Sequence, residues 1–291
     1  MIRGPPTDRS PADLLSFGVL NLDKPPGPSA HQVVAWVRDL AGVERAAHAG
    51  TLDPKVTGCL PVLLGDATRS AQVFDDSVKE YVAVLELHAS APADLAATVA
   101  EFVGPVYQKP PRKSAVARRL RVREVHELDV LEAEDRRVLL RIRCASGTYV
   151  RKLCHDIGLA LGTGAHMGAL RRTATGTFDD ATLVTMHDFA DALAWWREDG
   201  DDEPLRAVVD PAERALRGIP EITIAPSAAD SVADGAPVYA PGVIEGPDLD
   251  PADRPLVACY TPDGAAVCLG RLVGDPDAES GVVVSLERVL V

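Results

Sequence analysis

From residue 24 the chain reads Lys-Pro-Pro-Gly-Pro-Ser. Pro25, Pro26 and Pro28 lack the backbone N–H that a helix or a sheet ladder needs, so regular structure must stop before Pro25 and restart at Ser29. Residues 18–22 ahead of this break have the short apolar pattern of a strand. Behind it, Ser29 is a natural N-cap, Val33, Val34, Val37 and Leu40 recur at helical spacing, and Gly42 is a stop signal. The spacing predicts an amphipathic helix over 30–41. The first 42 residues therefore require an abrupt passage from strand to helix.

The two periods keep alternating downstream. The pattern predicts a buried strand at 59–64, a short helix at 67–74, a strand at 81–87 and a helix at 92–103. Strand alternation runs over 115–143, with 138–144 as an inner strand. Thr148 reads as the cap of a helix reaching about residue 161, Gly162, Gly164 and Gly168 as a loop, 169–177 as a strand and 183–196 as a helix. The acidic run 198–204 reads as a solvated loop. From Ile219 short Val-rich strands are separated by Pro, Gly and Asp, and Thr261-Pro-Asp-Gly264 has the composition of a hairpin turn. These readings give an α+β chain with a mixed, mainly antiparallel sheet and flanking helices, followed by a small β-barrel-like unit. The expected division is an N-terminal extension over 1–17, a large domain over 18–215 and a small one over 216–291.

Apolar runs such as 59–64 and 281–286 fall far short of the roughly 18 residues that span a membrane. The first 17 residues have prolines and charges instead of a secretory apolar core, so a cytoplasmic protein is expected. Cys59, Cys144, Cys154, Cys259 and Cys268 are odd in number and contain no Cys-x-x-Cys pair, which disfavours a disulfide framework and a zinc site. Cys154 and His155 are no nucleophile–base pair, because neighbours on a helix point about 100° apart.

Charge is unevenly placed. The chain has 43 acids and 30 bases, a net charge of -13, and residues 201–291 hold 17 of the acids but only 6 of the bases. An acidic, lysine-poor surface suits solvation in concentrated salt. Against this background the stretch 107–123 carries Lys109, Arg112, Lys113, Arg118, Arg119, Arg121 and Arg123 and no acid, the footprint of phosphate binding. Arg141, Arg143, Lys152, Arg171 and Arg172 extend that basic set.

The segment His48-Ala-Gly-Thr-Leu-Asp-Pro54 places one acid between turn-forming residues. On the residues alone it fits either a rigid turn with an Asx hydrogen bond or a catalytic carboxylate. Four further stretches occur with it in order: Asn21-Leu-Asp-Lys-Pro25, Lys79-Glu-Tyr81, Gly147-Thr-Tyr-Val-Arg151 and Leu170-Arg-Arg172. The series resembles the TruB and dyskerin family of RNA pseudouridine synthases, over roughly residues 18–291.

That resemblance implies an isomerase that turns uridine into pseudouridine in RNA without metal or cofactor. It makes Asp53 the catalytic carboxylate, Arg151 its cationic partner and Tyr81 the aromatic that stacks on the target base. Tyr149 and Leu170 become walls of the pocket, His48 the residue that fills the space of the flipped nucleotide, and Lys24 a support of the first stretch. Residues 227–243 and the strands at 256–270 and 281–291 resemble a PUA domain, an RNA-binding module on which the N-terminal extension would pack.

Val106-Tyr-Gln-Lys-Pro-Pro111, the following arginines and Thr51 resemble the archaeal and eukaryotic dyskerin branch. The partners implied are an H/ACA guide RNA, an rRNA target, small accessory proteins and, for archaeal members, the tRNA T-loop. A non-catalytic RNA scaffold of the same fold and a stand-alone tRNA enzyme are the competing readings.

Overall fold

In the computed structural model, which describes residues 2–110, 117 and 119–291, the irregular link at 25–28 stands where the prolines require it. Helix α1 (Pro11–Ser16) opens with a capping box between Ser10 and Asp13. Strand β1 (Phe17–Lys24) leads into the link. Helix α2 (Ala30–Ala41) then starts on Ser29, whose hydroxyl accepts from the Gln32 N–H, and ends on Gly42 in the left-handed region. Strand β2 (Ala46–His48) is followed by the loop with Asp53 and by β3 (Thr57–Gly65). The helix expected at 67–74 is a 3-10 segment, Asp66–Phe74.

Beyond β4 (Lys79–Leu87) several expectations are corrected. Helix α3 covers only Leu95–Ala100, without a side-chain cap at Asp94, because the chain turns tightly at both ends before β5 (Gly104–Gln108). The alternation over 115–143 divides into β6 (Arg121–Glu134) and β7 (Arg137–Cys144), joined through Asp135 at φ 38°. Thr148 is no helix cap: its hydroxyl donates to the Ala145 carbonyl, and helix α4 (Val150–Ala160) starts after Tyr149. Strand β8 (Ala165–Thr175) begins earlier than expected and contains Gly168. The short β9 (Phe178–Asp179) precedes helix α5 (Met186–Asp199), which is capped by Thr185 and takes in the start of the acidic run. Helix α6 (Glu203–Val208) takes in its end and is followed by β10 (Asp210–Pro211).

The first sheet has the order β10-β1-β3-β8-β4-β7-β6-β5, with β2 on β3 and β9 on β8. It is antiparallel except where β3 and β8 run parallel, through Thr57 with Arg171 and Gly58 with Arg172. That joint is unusually close. A Cβ on Gly58, whose φ is +95°, would lie 2.2 Å from the Arg172 carbonyl oxygen, so glycine is required there. The second sheet contains β11 (Glu221–Ile224), β12 (Val238–Tyr239), β13 (Val243–Glu245), β14 (Leu256–Tyr260), β15 (Ala266–Leu272) and β16 (Val282–Val289). Its order is β12-β16-β15-β14-β11-β13, and helix α7 (Pro226–Ala233) packs on it.

Alternation along β1 explains the joining of the two sheets. Leu20 and Leu22 face a core with Val33, Val37, Phe189 and Leu193 of α2 and α5. Phe17 and Val19 face the opposite way, into a core with Ala258, Tyr260, Leu269 and Leu290 from the second unit. A strand buried on both faces needs the continuous apolar run seen in β1 and β3. The N-terminal residues add polar ties: Arg3 donates to the Leu290 carbonyl, and Arg9 forks onto Glu213 at 2.7 and 2.6 Å, while Glu213 also accepts from the Ala266 N–H at 3.0 Å. All five cysteines are free and buried. Among the described residues no helix is long and apolar enough to cross a membrane.

Candidate active site

Asp53 is exposed between two buried side chains, Leu52 and Val56, each 4% exposed. Burying these neighbours in the core under α2 turns the carboxylate outward. Backbone bonds fix the loop at both ends: Ala49 N–H donates to Pro61 at 2.8 Å, Val56 N–H to the Asp53 carbonyl at 2.9 Å, and Gly27 N–H to Pro54 at 2.8 Å. The last bond ties the loop to the proline-rich link.

Beneath the loop lies Lys24, fully buried at the end of β1. Its ammonium donates to the carbonyls of Pro25 at 2.9 Å, Pro54 at 3.1 Å and Val56 at 2.9 Å. Burial lowers its pKa and the Asp53 charge opposes that shift, so the ammonium and the carboxylate sense each other across the loop. Lys24→Met removes all three donors. It is expected to destabilise the fold by about 2–3 kcal/mol, the cost of leaving partly buried carbonyls unpaired. A lower denaturant midpoint at unchanged slope is the readout.

Arg151, in the first turn of α4, donates to the Asp53 carboxylate, and the side chains of the pair are 54% and 52% exposed. The entry to α4 is clamped by Gln108, buried at the end of β5. Its amide oxygen accepts from the Tyr149 N–H at 2.8 Å, and its amide nitrogen donates to the Tyr149 carbonyl at 3.2 Å. Tyr149 itself is half-buried. Tyr81 on β4 and Leu170 on β8 are half-buried at the seam of two hydrophobic clusters. Tyr81 pairs with Arg172 and Ala83 with Leu170 across the ladder, so Tyr81, Leu170 and Arg172 share one sheet face. Burial raises the Tyr81 phenol while the nearby Arg172 charge pulls it back down.

His48 closes the site on the α2 side, its ring edge-on to His31 with centroids 4.9 Å apart. Burial, then the His31 imidazole, lowers its pKa and favours the neutral form. Its Nδ1 is buried without a hydrogen-bond partner among the described residues.

The basic residues divide sharply. Lys109 and Arg119 are exposed, and Arg121 is half-exposed. Arg123 is half-buried, its guanidinium beside Gly147 and donating to the Val122 carbonyl. Arg112, Lys113 and Arg118 lie outside the described residues. Arg171 is half-exposed and forks onto Asp23 at 2.9 and 3.1 Å. Arg141 and Arg143 are paired across the sheet with Asp129 and Glu127. Arg172 corrects the expectation of an RNA contact. It is 1% exposed, and its guanidinium is used on the carbonyls of Cys59, Gly50 and Ala49, so it cannot reach a phosphate.

Lys79 and Gln108 stand in stretches that carried the resemblance, but the structural duties they perform were not read from it. Lys79 is buried, and its ammonium donates to the Phe74 carbonyl at 2.7 Å, to Ser77 at 2.8 and 3.0 Å, and to the Ser146 hydroxyl at 3.1 Å. It thus holds the turn that leads to Tyr149 and Arg151. Burial, helped by the Arg172 charge, pushes its pKa down to about 8. The unfolded lysine, near pKa 10.4, then binds more protons than the folded one between about pH 8 and 10.4, so stability gains a rising contribution over that window. This contribution is lost as pH falls through 8. The expected result is a wild-type unfolding free energy that rises relative to Lys79→Met from pH 8 to 10. Parallel pH curves for the two proteins would refute it.

A preformed, water-accessible carboxylate–arginine pair held over buried cations, beside the parallel joint of β3 and β8, is a site of the kind an enzyme uses. Residues 38–150 match the model for the TruB family pseudouridylate synthase N-terminal domain, 151–217 that for the tRNA pseudouridylate synthase B C-terminal domain, and 4–34 that for the DKCLD (NUC011) domain. The chain is 69% identical over 295 residues to a probable tRNA pseudouridine synthase B of Haloarcula marismortui, covering 100% of this chain and 94% of that protein. It matches a chain in the crystal structure of a Cbf5-Nop10-Gar1 complex with TM-score 0.92 and 43% identity, over 100% of this chain and 90% of the other. It also matches a chain in the structure of an H/ACA RNP bound to a substrate RNA containing 2'-deoxyuridine, with TM-score 0.91 and 41% identity, over 100% and 90% of the two chains. The chain belongs to the TruB family of pseudouridylate synthases.

Proposed function

We propose that this protein isomerises uridine to pseudouridine in RNA, with Asp53 as the catalytic carboxylate. The observation that carries the assignment is the exposed Asp53–Arg151 pair, with the Asp53 loop braced from below by the buried Lys24, Leu52 and Val56. The isomerisation breaks the N1–C1' bond, joins C5 to C1' and releases the C5 proton, while N1 takes up a proton. Atoms are conserved, so one positioned carboxylate with groups that steer the base and the proton can serve the reaction. Arg151 donates to the carboxylate and orients it. Tyr81 and Leu170 form the floor on which a flipped uracil stacks, Tyr149 and His48 stand at the sides, and Lys24 braces the loop from below. Extruding a base costs a few kcal/mol, which such walls offset.

The substrates we assign are the T-loop uridine of tRNA and rRNA uridines selected by an H/ACA guide RNA, with small accessory proteins completing the guided particle. The proteins in the matched structures, Cbf5 with Nop10 and Gar1 and an H/ACA particle with substrate RNA, support this reading. Lys109, Arg119, Arg121, Arg123 and Arg171 are the exposed or partly exposed described residues that would meet phosphates, together with Arg112, Lys113 and Arg118. We further assign residues 18–215 as the catalytic domain, 216–291 as a PUA domain on which residues 1–17 pack, and the cytoplasm as the compartment.

The test is conversion of a T-loop hairpin and of a guide-paired target by the isolated chain and by the reconstituted particle, each beside Asp53→Asn. Conversion that depends on Asp53 supports the reading. Binding of both RNAs with no turnover in any mixture would leave a non-catalytic scaffold.

A further inference from the structure

Arg172 is joined to both halves of the site. Its Nε donates to the Cys59 carbonyl at 2.7 Å, on strand β3, and one terminal nitrogen reaches the Gly50 and Ala49 carbonyls at 3.3 and 3.5 Å, at the start of the Asp53 loop. Directly across the β4–β8 ladder stands Tyr81, whose phenol faces the same guanidinium. Gly50, at φ +86°, stands beside the other terminal nitrogen, 3.4 Å from where a Cβ would lie. Among the described residues the buried charged side chains are Arg9, Lys24, Lys79 and Arg172, and the last three lie under the site with carbonyl or hydroxyl partners.

We propose that Arg172 is a positioning residue of the reaction, a buried fork that fixes the Asp53 loop relative to Tyr81 and directs the Tyr81 hydroxyl proton toward the target base. The proposal rests on the function assigned above. A guanidinium has five N–H donors and no acceptor, so any hydrogen bond between it and Tyr81 uses the phenol oxygen as acceptor. The phenol proton then points away from Arg172, and the target base is the acceptor we assign to it. A lysine in this place would keep the charge but lose the planar fork that reaches three carbonyls at once. The same fixed charge pulls the Tyr81 phenol down against burial, and it adds to burial in favouring neutral His48 and Lys79.

The experiment compares the full chain with Arg172→Lys and Arg172→Met, with single-turnover rate and RNA affinity measured separately on substrate RNA. A displaced loop costs on the order of 100-fold in rate. Both variants should show about that loss, with RNA affinity within about threefold of wild type. The Tyr81 ring carbon bearing oxygen, followed by 13C NMR, should titrate at higher pH in Arg172→Met. Folded variants with wild-type rates overturn the proposal. So does a loss confined to RNA affinity, which is the signature of a phosphate contact.

Should neither variant fold, the wild type decides through the 15N resonance of the Arg172 Nε–H. Slow exchange and no change on adding substrate RNA support the buried fork, and rapid exchange or an RNA-induced shift overturns it. Asp53→Asn separates the two readings: if that variant keeps turnover, the functional assignment fails whatever Arg172 does. If it is inactive while the Arg172 variants are not, only the present inference fails.

Discussion

Asp53→Asn is expected to lower pseudouridine formation by about 10⁴-fold, the upper range for one positioned proton-transfer group, while the fold and RNA binding persist. The substitution keeps the side chain's shape and removes its charge. Asp53 is half exposed, and the side-chain contact seen for it is with Arg151, so the exposed pair contributes at most about 1 kcal/mol to stability. The loop is held by Lys24, Leu52 and Val56, none of which changes. Activity is read by tritium release from RNA labelled at C5 of uridine, since joining C5 to C1' expels that hydrogen. Release within about tenfold of wild type would remove Asp53 from the chemistry.

Helix α2 was legible because every signal for it is local. The prolines before Ser29, the cap on Gln32, the apolar spacing and the left-handed Gly42 lie within 18 residues. The site is different. Asp53 and Arg151 are 98 residues apart, and what brings them together is the sheet order that sets β3 beside β8 and docks α4 on it. Ordered stretches shared with a family pointed to both residues, whereas spacing along the chain could not.

The misplacing of Arg172 has a physical origin that the sequence did contain. Adjacent residues on a strand point to opposite faces, so Arg171 and Arg172 could not both meet RNA. One had to turn inward, and an inward arginine needs carbonyl partners, which Cys59, Ala49 and Gly50 supply. The burial of Lys79 was not legible for a different reason: its partners, the turns around Ser77 and Ser146, are brought together only by the fold.

The charge pattern also gains meaning from position. Arg141 and Arg143 lie on an exposed face already neutralised by Asp129 and Glu127, whereas Lys109, Arg119 and Arg121 are exposed or half-exposed bases, assigned to phosphates, in a protein at net -13. Contacts of that kind weaken steeply with salt. Buried cations such as Lys24 and Arg172 are screened far less, so the geometry around Asp53 should survive salt concentrations that loosen the RNA.

Arg151 separates stability from catalysis most cleanly. As a cation in the first turn of α4 it faces the positive end of the helix dipole, which costs about 0.3–1 kcal/mol. Its exposed pairing with Asp53 returns a similar small amount. Arg151→Met should therefore leave the melting temperature nearly unchanged, in contrast to Lys24→Met. Turnover is another matter, because RNA covering the site excludes water and strengthens the pull of a fixed cation on the carboxylate. Removing such a preorganised group typically costs about 10²–10³ in rate. Arg151→Lys restores charge without the planar fork and should recover only part of that loss. Equal turnover in wild type and Arg151→Met, measured on the same RNA at saturating concentration, would show that Asp53 is oriented by something other than Arg151.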